Sequence, residues 1–149
     1  MNKEKEPVYL TGIRLVREKR YDYPRRPLDS ADSAYRFIKP LIGDKDRETF
    51  ITVSLDSRLY PTAVDITAVG GINSCSVRPS DIFKTAILSN ATAVMCFHNH
   101  PSGDPESSDE DKRFTALIKT AGDILGIKLV DHIIAGTDTY YSFSEKGEI

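Results

Sequence analysis

Residues 91–97, ATAVMCF, run almost wholly apolar. A strand with one wet face alternates apolar and polar residues, so an unbroken run of this length has the pattern of a central strand covered on both faces. The flanking segments supply the covers. Pro79 opens a helix, where its missing N–H costs nothing, with Ile82, Phe83, Ala86 and Ile87 as the apolar face and Asn90 at the end. Phe114, Leu117, Ile118, Ala121, Ile124 and Leu125 mark an amphipathic helix that Gly126 can end. Earlier, Ser30 can cap a helix presenting Ala34, Phe37, Ile38 and Leu41, with Pro40 near its end or kinking it. Strands are expected at residues 8–16, at Phe50–Leu55, at Leu59–Val69 after an Asp56-Ser57-Arg58 turn, at residues 127–135 and in YYSFS near the C-terminus, with Gly70-Gly71 breaking the third of these. Strands and helices alternate throughout, so the expected class is α/β, a single domain with helices packed on a mixed sheet.

Composition narrows the setting. A chain of 149 residues suits one compact domain. Its 20 basic residues nearly cancel its 22 acidic ones. That balance predicts a globular protein and gives no electrostatic case for nucleic acid, which calls for a basic excess. The segment REKRYDYPRR, interrupted by Pro24 and Asp22, reads as a solvated loop in preference to a basic binding arm. Cys75 and Cys96 form no CxxC pair and no disulfide framework, which points to a reducing cytoplasm. No apolar run is long enough to span a bilayer, and MNKEKEPVYL has no signal-peptide stretch.

The chemistry is concentrated in HNHPSGDPESSDED, directly after the central strand. His98 and His100 are two apart, and at a strand end that spacing points both imidazoles to one side. Asp111 lies at the start of the next helix, which the intervening loop brings back toward the strand. Two imidazoles and a carboxylate with one open position form the ligand set of a catalytic zinc site, with no thiolate to suggest a structural one. A second reading stands beside it. Ser107 with Glu110, and Ser108 with Asp111, both fit the capping box that any helix beginning here would use.

The spacing HxH, seven residues, then Ser-x-x-Asp, carried here by His98, His100, Ser108 and Asp111, resembles the JAMM motif of the JAB/MPN superfamily. HNHPSGDP, Gly71-Ile72-Asn73, the segment from Val77 to Lys84 (VRPSDIFK) and the later LVDHII are similar to the RadC-like branch of bacterial JAB domains. The resemblance covers residues 28–149 and leaves 1–27 as an N-terminal extension. It implies a curved mixed sheet flanked by helices, similar to the cytidine deaminases. It also implies that His98, His100 and Asp111 hold zinc, that Glu48 is the general base, and that Ser108 positions the water and supports the oxyanion. Read without the resemblance, Glu48 is a surface residue beside Asp46 and Arg47.

Three departures from the branch stand out. Ser107 replaces a frequent proline, Ser80 replaces a frequent arginine, and the chain has no room for a helix-hairpin-helix region before the JAB domain. The expected activity is that of a zinc metallopeptidase or isopeptidase acting on a peptide or protein substrate. The alternatives are a DNA-repair-associated accessory protein and a metal-stabilised interaction module without turnover. His132 is read as a hydrogen-bonded structural histidine ahead of a partner to the site, and Cys96 as a buried apolar thiol. A cytidine deaminase would need His-x-Glu and PCxxC, which are absent.

Overall fold

A computed structural model describes residues 7–42, 46–70 and 77–149; Gly71-Ile72-Asn73 and Cys75 lie outside the described residues. The elements run α1 (Ala31–Ile42), β1 (Thr49–Leu55), β2 (Pro61–Val69), α2 (Pro79–Leu88), β3 (Ala93–Asn99), α3 (Asp109–Leu125), β4 (Lys128–Ala135) and β5 (Tyr140–Ser142). They build one mixed sheet in the order β2-β1-β3-β4-β5. Only β3 and β4 pair in parallel, and α3 is the crossover between them. β1 pairs antiparallel with both β2 and β3, and β5 antiparallel with β4.

The apolar run becomes the middle strand shifted two residues along: Ala91 and Thr92 lie before it, His98 and Asn99 belong to it, and all seven residues of β3 are buried. Alternate side chains feed two cores. Ala93, Met95 and Phe97 join Ile51, Val53, Leu55 and the α1 residues Ala34, Phe37 and Ile38 on one face. Val94 and Cys96 join Phe50, the α2 residues Ile82, Phe83 and Ala86, and Ile118 of α3 on the other. Each large aliphatic or aromatic side chain so enclosed contributes about 1.5–3 kcal/mol relative to exposure.

Three expectations are corrected. Residues 8–16 form no strand: they have no regular secondary structure and are exposed, with Leu10 and Val8 almost fully open to solvent. A β-pattern yields a strand only where a neighbour supplies the ladder, and no described strand pairs with this one. β2 starts at Pro61 and not Leu59, because Leu59 takes a positive φ of 64° within a turn that Asp56 Oδ1 holds by accepting from Arg58 N (2.8 Å) and Tyr60 N (3.0 Å). In α3 the buried face is Thr115, Ile118 and Gly122, while Leu117, Ile124 and Leu125 are 51%, 81% and 48% exposed. The helix is rotated onto Gly122 because only a residue without Cβ fits there: a Cβ would stand 2.4 Å from the Ile127 carbonyl oxygen and 3.2 Å from the Phe83 ring.

The other helices follow their local signals. Ser30 Oγ accepts from Ser33 N (3.1 Å) at the start of α1, and Pro40 is carried in its last turn without ending it. Pro79 is the first residue of α2. Gly126 closes α3 in the left-handed conformation, φ 70°.

Candidate metal centre

The β3–α3 connection decides where the site lies. α3 begins beside the C-terminal end of β3 and runs back along the sheet to start β4, so its first turn stands over His98 and His100. Ser108 is the N-cap. Its hydroxyl accepts from Asp111 N (3.1 Å), and the Asp111 carboxylate accepts from Ser108 N (2.8 Å) and Ser108 Oγ (2.7 Å). The capping box is therefore Ser108–Asp111; Ser107 takes no part in it, and its Oγ is buried without a hydrogen-bond partner.

The cap does not compete with the ligand set, because it aims the same carboxylate. Asp111 Oδ1 lies 3.2 Å from His98 Nε2 and Oδ2 lies 3.5 Å from His100 Nε2. The two Nε2 atoms are 3.2 Å apart. Donors bound tetrahedrally to one zinc at about 2.0–2.1 Å stand about 3.3–3.4 Å from each other. The His98–His100 edge and the His98–Asp111 Oδ1 edge, 3.2 Å each, come close to that value, while His100 faces the other carboxylate oxygen, so the three side chains form a candidate site for a small divalent cation. Among the described residues, His98, His100 and Asp111 form the one group of this kind, with every ligating atom within 4.8 Å of the others. Cys96 is not part of it. Burial pushes its thiol well up, as expected of a structural cysteine.

Hydrogen bonds prepare the ligands. His100 Nδ1 lies 2.8 Å from the Asp104 carbonyl, which can only accept, so that nitrogen carries a proton and the neutral ring has its lone pair on Nε2. His98 is 2% exposed, and its ring stacks against Phe50 at 6.0 Å and 8°. Burial alone would raise the Asp111 carboxyl, but hydrogen bonds from His100, His98 and Ser108 outweigh it and hold the group far below the usual carboxylate range. The Asp111 hydrogen bond in turn raises the His100 imidazole against its partial burial, helped by the Asp104 carbonyl and the negative charges of Asp111 and Glu48.

Glu48 is half-buried immediately before β1, and its backbone carbonyl accepts from Gly70 N at 2.8 Å. Its negative charge is among the influences that raise the His100 imidazole. Asn99, the middle residue of HNH, is what ties this segment down. Its Oδ1 accepts from Thr49 N (2.7 Å) and its Nδ2 donates to the Arg47 carbonyl (3.1 Å), clamping the backbone on both sides of Glu48 to the end of β3. Nothing in the sequence signals this clamp, because the partners are about fifty positions away.

His132 was expected to be structural. It is fully buried on β4, stacked on Phe143 at 5.1 Å, with Nε2 only 2.8 Å from His98 Nδ1. Burial holds its imidazole well below the ordinary value, so the ring is neutral. Thr115 Oγ1 meets its other nitrogen at 2.6 Å. Both residues bear on the site, and the sequence reading missed Thr115 altogether.

Residues 28–148 match the family model described as the RadC-like JAB domain. The chain belongs to that family. Among curated relatives, a RadC-like JAB domain chain of this length is 40% identical over 138 residues to a UPF0758 protein of Thermotoga maritima, covering 93% of the chain and 61% of the relative. It is 44% identical over 111 residues to a UPF0758 protein of Carboxydothermus hydrogenoformans, covering 74% of the chain and 49% of the relative. A UPF0758 protein of Methanosarcina mazei is 35% identical over 124 residues, 83% of this chain and 54% of its own. The chain thus spans about half to three fifths of the relatives it matches. The mixed five-stranded sheet flanked by helices is the architecture expected of a JAB domain. No helix among the described residues is long and apolar enough to cross a membrane.

A cavity of about 510 Å³ lies elsewhere, at the opposite end of β3 and α3, lined by Thr92, Gly126, Lys128 and Ile149. It borders no ligating cluster among the described residues. A smaller cleft of about 90 Å³, lined by Tyr35, Lys39, His100, Pro101 and Thr137, opens beside the His100 ligand.

Proposed function

We propose that this JAB domain is a zinc-dependent hydrolase that cleaves a peptide or isopeptide bond with an activated water. The observation that carries the reading is the convergence of His98 Nε2, His100 Nε2 and the Asp111 carboxylate, with neighbouring atoms 3.2–3.5 Å apart. A zinc ion held by these residues lowers the pKa of a bound water to about 7 and polarises a carbonyl oxygen.

The remaining chemistry belongs to the chain. Glu48 accepts a proton from the attacking water and returns it to the leaving nitrogen, the general acid–base role that the family resemblance gives this residue. Asn99 holds the backbone on either side of Glu48 and so fixes its approach. Asp104 keeps the His100 lone pair facing inward. Ser108 aims Asp111. In the free protein the Ser108 hydroxyl proton is directed to Asp111, so support of an oxyanion requires that hydroxyl to turn when substrate is present. The substrate is a peptide or protein. Duplex nucleic acid is disfavoured by a net charge of −2, and an anisotropy titration at physiological salt should give no sub-micromolar binding.

Glu48→Gln tests the assignment. The amide keeps shape and volume but cannot take the proton. Zinc content and melting temperature should stay as in the parent, while hydrolysis of peptides found by library screening should fall about 10²-fold or more. Full activity in Glu48→Gln would remove Glu48 as base. A protein that binds zinc but turns over no peptide or isopeptide would leave the metal-stabilised interaction module as the function.

A further inference from the structure

We infer that Thr115 and His132 are positioning residues that set the tautomer of His98, holding its Nε2 lone pair toward His100 and Asp111. The inference rests on the metal-site reading and adds two residues to it.

The argument follows one proton at a time. The Thr115 hydroxyl lies 2.7 Å from the Asp111 backbone carbonyl and 2.6 Å from His132 Nδ1. A carbonyl can only accept, so the single hydroxyl proton goes to Asp111. Thr115 Oγ1 then has lone pairs for His132, and His132 Nδ1 must be the donor. A neutral imidazole carries one proton, so His132 Nε2 is left as an acceptor. It faces His98 Nδ1 at 2.8 Å, which must therefore carry the proton. When the His98 ring is neutral, its lone pair is therefore on Nε2, 3.2 Å from Asp111 Oδ1 and 3.2 Å from His100 Nε2.

Every link is buried. Thr115, His132 and His98 are 2%, 0% and 2% exposed, so water cannot substitute for a missing partner. Reversing one link leaves a buried donor facing a donor, with no water to relieve it. The chain of bonds also closes on itself: Asp111 anchors Thr115 through its carbonyl and meets His98 through its carboxylate. The first turn of α3, β3 and β4 are thereby held in one ring, and the imidazole plane of His98 is fixed before any ion arrives. Hydrogen bonds of this kind to a ligating histidine typically change metal affinity 10–100-fold.

The test has two independent arms. In metal-free protein, ¹⁵N–¹H correlation spectra of the histidine rings should show His132 and His98 both protonated on Nδ1; an unprotonated Nδ1 on either ring, or a proton on His132 Nε2, overturns the inference. In the second arm, zinc is titrated against a chromophoric chelator. Thr115→Val keeps the volume and removes the hydroxyl, and should weaken zinc binding 10–100-fold, with a mixed tautomer signal at His132. Thr115→Ser should restore both affinity and tautomer. A folded Thr115→Val that binds zinc as tightly as the parent would reduce the pair to packing. If the unaltered protein takes up no zinc, the metal reading fails, and the ring spectra still decide the tautomer.

Discussion

The two faces of β3 use the same strand for different ends. Toward α1 it presents Ala93, Met95 and Phe97 to a core of aliphatic and aromatic side chains. Toward α3 it presents Val94 and Cys96, and the next residue in that alternation is His98, which meets His132 and Asp111 in place of another hydrocarbon. The first face is specified by size and shape, so it tolerates exchange of similar residues. The second is specified by which atom carries a proton, because a buried polar group without a partner costs more than a small misfit. Phe97 and His98 are adjacent in the chain, equally inaccessible, and belong to these two regimes.

That pair gives the sharpest contrast to test. His98→Ala should take zinc stoichiometry from one equivalent per chain to none, read by elemental analysis of protein purified without chelators. Asp111→Ala should do the same. Retention of stoichiometric zinc by either variant would break the ligand assignment. Phe97→Ala should leave the stoichiometry of folded protein intact while lowering unfolding free energy by about 3–5 kcal/mol in a denaturant titration. If it lost zinc while still folded, the two faces would not be separable.

Smaller effects refine the α3 side. Gly122→Ala places a methyl against the Ile127 carbonyl and the Phe83 ring. It should cost about 1–3 kcal/mol, the usual range for overpacking, despite the better helix propensity of alanine. A neutral or stabilising result would mean that α3 can shift away from β4. Ser108→Ala should cost about 1 kcal/mol through the lost cap. It should also weaken zinc binding modestly, since Asp111 would lose one of the bonds that aim it. Equal affinity in the parent and Ser108→Ala would confine Ser108 to capping.

Much of this architecture could be read from the chain, and the reasons are local. The unbroken run ending at Phe97 identified the central strand, because burial on both faces leaves no room for alternation. The HxH spacing placed two imidazoles together because strand geometry repeats every two residues. Ser108-x-x-Asp111 fitted both a cap and a ligand, and the fold uses it as a cap that turns the Asp111 carboxylate toward His98.

What the chain alone left open depends on partners far away in sequence. Residues 8–16 carry a strand pattern, but pairing is a property of two segments and no described strand meets them. The buried stripe of α3 could not be chosen from hydrophobicity, because Leu117 and Ile124 outrank Thr115 and Gly122 on any scale; close approach to Ile127 and Phe83 selected the smaller residues. Asn99 reaches Arg47 and Thr49, and His132 reaches His98, only after β1, β3 and β4 have found their register. Spacing along one element determines which side chains share a face. Strand order and register decide which distant donor meets which acceptor, and that is why the three candidate ligands were legible in the sequence while the residues that orient them emerged only from the tertiary structure.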